Sequence, residues 1–131
     1  MDKDFSKWNT RKQLLHTGNK YPFFHEREVW YCHLGANIGY EQDGKGEDFL
    51  RPILIIRKFN KQIFWGIPLT TSFRKSFYYK ELPAIAGRKS YAVLSQIRLI
   101  DAKRLSYKIS TISKTIHHAV CFSISSILLN F

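Results

Sequence analysis

The chain is expected to be mostly β with helices at its two ends, an α+β protein built as a small antiparallel barrel or strongly bent sheet. Three observations lead there. Short runs rich in β-branched and aromatic residues recur between Gly, Asn and Pro signals through the middle of the chain. Helical periodicity is confined to a segment near each end. The 131 residues, 44% hydrophobic and 15% aromatic, suit one domain with a sizeable core and exclude a disordered chain. Residues 1–22 read as an N-terminal helical extension and 23–131 as the barrel domain.

From Asp4 to His16 the spacing predicts an amphipathic helix, with Phe5, Trp8, Leu15 and the stem of Lys12 on one side. Thr17-Gly18-Asn19 stops it, and Pro22 begins the lead-in to the sheet. Glu28 to Leu34 is a short aromatic and β-branched strand closed by Gly35. Gly35 to Leu50 is a long polar loop with four glycines and an acidic centre at Asp43, Glu47 and Asp48. Arg51 to Phe59 is the next strand, and its Pro52 stands at the start, where a missing N–H is tolerated. Asn60-Lys61 turns tightly into Gln62 to Leu69, so these two strands should form a hairpin. A basic loop, Ser72 to Lys75, leads to Phe77-Tyr78-Tyr79 and then to Gly87-Arg88-Lys89. Ser90 to Ser95 is a further strand, which Gln96 to Ile100 continues or bends. Asp101 caps a short helical turn at Ala102 to Leu105. Ser113 caps a last helix carrying Ile116, Val120, Ile124 and Ile127 at helical intervals. The serines and β-branched residues from Cys121 to Ser126 weaken that helix signal.

Charge is unevenly placed. The net +11 divides into seven Lys/Arg against eight Asp/Glu over residues 1–48, and fourteen against two over 49–131. The basic two-thirds should engage a polyanion or an acidic protein. Cys32 and Cys121 match no metal or redox spacing and read as buried, reduced thiols. The first twenty residues mix both charges without an apolar stretch, which argues against a secretory leader. His118 to Phe131 is too short and too serine-rich to span a bilayer. The expected setting is therefore the cytoplasm, with no membrane partner.

Glu41-Gln42, followed after eight residues by Arg51-Pro52, brings a carboxylate, an amide and a guanidinium toward the mouth of a buried strand. The following strand ends in the hydroxyls of Thr70 and Thr71. An arginine stays charged and can clamp a phosphate with two parallel hydrogen bonds. Beside hydroxyls on a basic chain, it points to phosphodiester chemistry.

Five blocks follow one another over roughly residues 27–112: Trp30-Tyr31-Cys32-His33-Leu34, Gly39-Tyr40-Glu41-Gln42, Arg51-Pro52-Ile53-Leu54-Ile55-Ile56, Pro68-Leu69-Thr70-Thr71, and Ser95-Gln96 through Arg104-Leu105. In that order they resemble the MazF/PemK toxins of type II toxin–antitoxin systems. The resemblance implies a compact SH3-like barrel of the MazF/Kid/CcdB kind, with a C-terminal helix, forming a homodimer. It also implies a metal-independent, cofactor-free endoribonuclease that cuts single-stranded RNA at short sequences. A small acidic antitoxin would hold it inactive, and DNA would be reached only through the antitoxin complex. The family's catalytic arginine and threonine fall on Arg51 and Thr70, and the glutamate of its Glu-Gln pair on Glu41. Three departures stand out: the loop before Arg51 is longer than in common members, Ser95 replaces an aspartate found in some, and His33 an aspartate found in many.

Metal-free RNA cleavage needs a group to accept the 2′ proton, charge stabilisation on the phosphoryl oxygens and help for the leaving 5′ oxygen. Arg51 suits the charge. Thr70 can donate a hydrogen bond to a phosphoryl oxygen. Glu41, kept ionised by a nearby Arg51, can accept the proton, or else serve only to orient Arg51. Purely structural roles are an Arg51 paired with Glu47 or Asp48, and a Thr70 bonded to its local backbone. Gln42, Thr71, Ser72, Arg74 and Lys75 are the expected RNA contacts. Phe73, Phe77, Tyr78 and Tyr79 lie among the basic residues from Arg57 to Lys89, so bases can stack on rings while cations follow the backbone. Of the five histidines only His33, at a strand end, is placed to reach RNA, and no zinc spacing occurs. A different class of function is a non-catalytic barrel of the same fold, a gyrase-poison-like or antitoxin- or nucleic-acid-binding module.

Overall fold

A computed structural model describes residues 2–129, so the last two residues of the 23–131 expectation lie outside the described residues. The first helix, α1 (Phe5–Thr17), starts at Asp4, whose carboxylate accepts the Lys7 N–H at 2.9 Å. It stops at Gly18, whose N–H reaches back to the Leu15 carbonyl at 3.3 Å. Trp8 is buried and Leu15 half-buried, but Phe5 and Lys12 face water. The helix touches the rest of the molecule along a narrower strip than its apolar residues suggest. Trp8, Ala36 and Phe49 form a small cluster of their own there.

The strands are β1 (Glu28–His33), β2 (Leu50–Lys58), β3 (Ile63–Thr70), β4 (Tyr79–Ile85), β5 (Arg88–Val93), β6 (Arg98–Asp101) and β7 (Leu105–Thr111), followed by α2 (Lys114–Leu129). All pair antiparallel, in the order β4-β5-β3-β2-β1-β7, with β6 also on β3. β3 changes partner along its outer edge: residues 63–66 pair with β6, and residues 69–70 with β5. That switch curls the sheet into a half-barrel with a helix at each end of the chain.

The expected β2–β3 hairpin is present, and Asn60 Oδ1 fixes its turn by accepting the N–H groups of Gln62 and Ile63 at 2.7 and 3.0 Å. The apolar run of β2 is buried on both faces. Ile53 and Ile55 pack with Phe24, Phe64 and Ile100, while Leu54 and Ile56 join Ile67, Val120 and Ile124 beneath α2. A 3₁₀ turn at Leu94–Gln96 separates β5 from β6, and another at Ala102–Arg104 is capped by Asp101 as expected. α2 runs through the serines, whose hydroxyls bond back to carbonyls four residues earlier, Ser123 to Ala119 and Ser126 to Phe122, both at 3.1 Å.

Two strands were not expected. β4 and β7 are the two ends of the sheet order, and both leave most of their residues exposed or half-buried. The cysteines are unpaired; Cys32 is fully buried, which pushes its thiol up to about 12, whereas Cys121 is half-buried. Among the described residues no helix is long and apolar enough to cross a membrane.

Candidate functional site

Strand register brings Arg51 and Thr70 together. Ile53 pairs with Pro68 and Leu54 with Ile67, and continuing that ladder toward the strand ends sets Arg51 across from Thr70. Both line one cleft of about 350 Å³, with Tyr31, Lys45, Thr71 and Arg88 among its walls.

The guanidinium is held on one side. Arg51 is buried, its Nε donates to the Asp43 carbonyl, and its Nη1 donates to the Leu69 carbonyl at 3.1 Å. Among the described residues no hydrogen bond takes Nη2, and Arg51 is one of the residues lining the cleft. Burial lowers the Arg51 pKa from its ordinary value, opposed by Asp43 and Tyr79, and a guanidinium remains cationic under such a shift. The loop acids do not pair with it: Glu47 reaches Lys7 at 4.0 Å, and Asp48 pairs with Arg11. Thr70 Oγ1 accepts the Ser72 N–H at 3.2 Å, a local strand-end bond that leaves the hydroxyl proton unused.

Glu41 is not brought to them. It lines, with Tyr40, Gln42, Ser95 and Gln96, a separate recess of about 770 Å³. Its carboxylate accepts the Ile38 N–H at 2.9 Å, and the charges acting on Arg51 are those of Asp43 and Tyr79. The expectation that Arg51 stands beside Glu41 is therefore corrected. A turn through Gly39, at φ 55°, folds the carboxylate back on its own backbone.

Gln42 lines the same recess; its N–H donates to Gln96 Oε1 at 2.6 Å, and Gln96 Nε2 donates to the Tyr40 carbonyl at 3.1 Å. Thr71 lines the Arg51 cleft, whereas Ser72, Arg74 and Lys75 are exposed on the following loop and line neither cavity. Phe73, Phe77 and Tyr78 are exposed beside them. His33 is turned inward: its Nδ1 lies 2.7 Å from the Asp48 carbonyl, and burial, with Arg11 and Arg104, lowers its pKa.

Lys45 and Tyr31 are cleft residues that the sequence did not single out as site residues, and Arg88, expected only among the basic residues of an RNA platform, lines the cleft itself. Arg88 arrives through a two-residue turn, Ala86-Gly87, with both φ angles positive at 51° and 76°. Ala at the first turn position hid that hairpin. Lys45 was legible only as the single cation of an acidic loop.

Residues 25–128 match the family model described as PemK-like, MazF-like toxin of type II toxin–antitoxin system. Among solved structures, MazF (Form-I) from Deinococcus radiodurans superposes with a TM-score of 0.66 at 17% identity, covering 84% of this chain and 98% of that one. Mycobacterium tuberculosis toxin MazF-mt6 gives 0.59 at 17% identity, over 76% and 94%. An endoribonuclease in complex with its cognate antitoxin, from a mycobacterial species, gives 0.61 at 14% identity, over 81% and 95%. At such identities the likeness is one of fold. No curated protein matches the chain. The family model spans the whole sheet and nearly all of α2, on the fold that these structures share, and the chain belongs to the PemK/MazF toxin family of type II toxin–antitoxin systems.

Proposed function

We propose that this toxin is an endoribonuclease that cuts single-stranded RNA at the Arg51–Thr70 cleft. The observation that carries the reading is a half-fixed guanidinium and an undonated hydroxyl lining the same cleft. A scissile phosphate seated there takes a charged bond from Arg51 Nη2 and a neutral one from Thr70. The ribose 2′-oxygen attacks phosphorus as its proton passes to solvent water, the bond to the 5′ oxygen breaks, and that oxygen takes up a proton from water. The products are a 2′,3′-cyclic phosphate and a 5′-hydroxyl end. Charge building on the phosphoryl oxygens meets a cation already desolvated and oriented, where such stabilisation acts most strongly. DNA lacks the attacking hydroxyl and is an inert ligand. Glu41, committed to the Ile38 N–H in the neighbouring recess, suits loop orientation better than proton transfer.

Arg88 and Lys45 in the cleft, with Arg74 and Lys75 on the loop beyond it, give the RNA backbone a cationic track, and the exposed rings of Phe73, Phe77 and Tyr78 give its bases places to stack. The same charge suits an acidic antitoxin that inhibits by occupying the cleft, as the antitoxin-bound mycobacterial structure of like fold encourages. We expect the active form to be a homodimer.

A long RNA incubated with the protein in EDTA tests this. Discrete cuts bearing 5′-hydroxyl ends are expected, reduced ~10²–10³-fold in Arg51→Ala by analogy with loss of one oxyanion donor. They should persist in Arg57→Ala, whose guanidinium is exposed 4.0 Å from Glu26. Intact RNA with retained antitoxin binding would instead identify a non-catalytic module.

A further inference from the structure

Lys3 lies outside the stretch that matches the family model, yet its charge is enclosed. Its side chain is 8% exposed, and its ammonium meets the carbonyls of Asn37 and Gly39 and, at 3.0 Å, the Asp43 carboxylate. Those contacts use all three of its donors. The other Asp43 carboxylate oxygen accepts the Asn37 N–H at 2.6 Å. One ammonium thereby closes residues 37–43 into a knot. The knot reaches the cleft through the backbone carbonyl of Asp43, which receives Arg51 Nε.

We propose that Lys3 is a positioning residue for Arg51, acting through Asp43. The knot fixes where the Asp43 carbonyl points, and that carbonyl holds the Nε edge of the guanidinium, leaving Nη2 to the phosphate. The consequence for rate rests on the nuclease reading above; the knot itself does not. Lys7 offers a contrast on the same segment. Its pair with Glu47 is 4.0 Å long with both side chains well exposed, and such pairs contribute little. Loss of Lys3 instead leaves a part-buried carboxylate and two carbonyls without their cation.

The test is Lys3→Met in the full chain, with Lys7→Met as control. On a fixed RNA, kcat should fall ~10–100-fold, the scale of a small misplacement of a reacting group, with KM within about twofold of the parent. In ¹⁵N spectra the Arg51 Nε–H, protected in the parent, should exchange at least about tenfold faster, together with the amides of residues 37–43. Lys7→Met should change neither. Should Lys3→Met fail to fold, Asp43→Asn removes the ion pair, keeps the backbone carbonyl and is read the same way. Parental kcat with an undisturbed Arg51 Nε–H would overturn the proposal. So would a rise in KM alone, which would make Lys3 merely one more cation attracting RNA. If the parent cuts no RNA, the nuclease reading falls separately. Nε–H exchange then decides by itself: faster exchange in Lys3→Met upholds the knot, and unchanged exchange overturns it.

Discussion

Thr70 Oγ1 accepts the Ser72 N–H at 3.2 Å, a bond that does not use the hydroxyl's own proton, and the proposed chemistry assigns that proton to the phosphate. Thr70→Val keeps the shape and removes that proton. The cleavage rate should drop about 10–100-fold, somewhat less than for a fixed donor. Because Ser72 is exposed and its N–H can turn to water, the melting free energy should move by less than about 0.5 kcal/mol. Thr70→Ser should keep most of the activity. Rates on one RNA and parallel thermal melts check all of this. Glu28 carries a pH dependence instead. Its burial works to raise the pKa, but bonds from the Trp30 indole at 3.0 Å, the His25 N–H at 2.8 Å and the Lys108 ammonium at 3.2 Å outweigh it and hold the carboxyl below its ordinary value. With the folded pKa below the unfolded one, this stabilisation is complete above the unfolded value and is lost as pH falls through the folded value. Urea melts from pH 7 to pH 3 should show that acid limb in the parent and a flatter one in Glu28→Gln, which starts less stable at pH 7.

At the scale of elements, α1 is joined to the barrel through a glycine. A Cβ on Gly35 would stand 2.2 Å from the Trp8 ring, and its φ of 89° is one that side chains rarely adopt. Gly35→Ala should cost about 1–3 kcal/mol and expel Trp8, read as a lowered melting temperature and a red-shifted tryptophan emission. Gly44 holds the same loop closed from inside, since a Cβ there would meet the Phe49 carbonyl oxygen at 1.6 Å. The loop from Gly35 to Leu50 is therefore packed, with Lys45 bridged to Leu50. Edge strand β4 is blunted by Pro83 and by a register shift between Leu82 and Ile85, devices that discourage pairing with another sheet.

Across the whole molecule, the carboxylates cluster where cations from α1 and the segment before it meet them. Lys3, Lys7 and Arg11 take Asp43, Glu47 and Asp48, so the acidic loop is neutralised within the N-terminal half. The fourteen Lys/Arg of residues 49–131 share their stretch with only two carboxylates, and although Arg57 and Lys108 turn to Glu26 and Glu28, Arg74 and Lys75 stay exposed on their loop. Binding of an uncleavable 2′-deoxy oligonucleotide should weaken steeply with salt. Replacing Arg74 and Lys75 by alanine should reduce the slope of log K against log salt by about 1.4, at ~0.7 per single-strand phosphate contact. Titrations between 50 and 300 mM salt measure it, and an unchanged slope would remove that loop from the RNA path.

Local pattern was enough wherever burial is strong. The two-sided apolar run Ile53–Ile56, the Asn60-Lys61 turn, the caps Asp101 and Ser113, and the pairing of a basic arginine strand with a hydroxyl-ended one could all be read in the residues. β4 and β7 could not, because edge strands bury one side at most and their mixed composition carries no clean alternation. Chain distance likewise misjudged Glu41, which a tight turn carries into another recess, while Arg88 reached the cleft from β5, the strand that pairs with the Thr70 end of β3. Which side chains converge on one phosphate-sized space depends on strand register and on how a sixteen-residue loop packs. Both are settled by contacts between distant segments, such as Trp8 on Gly35 and Lys3 on Asp43, and no window of neighbouring residues contains them.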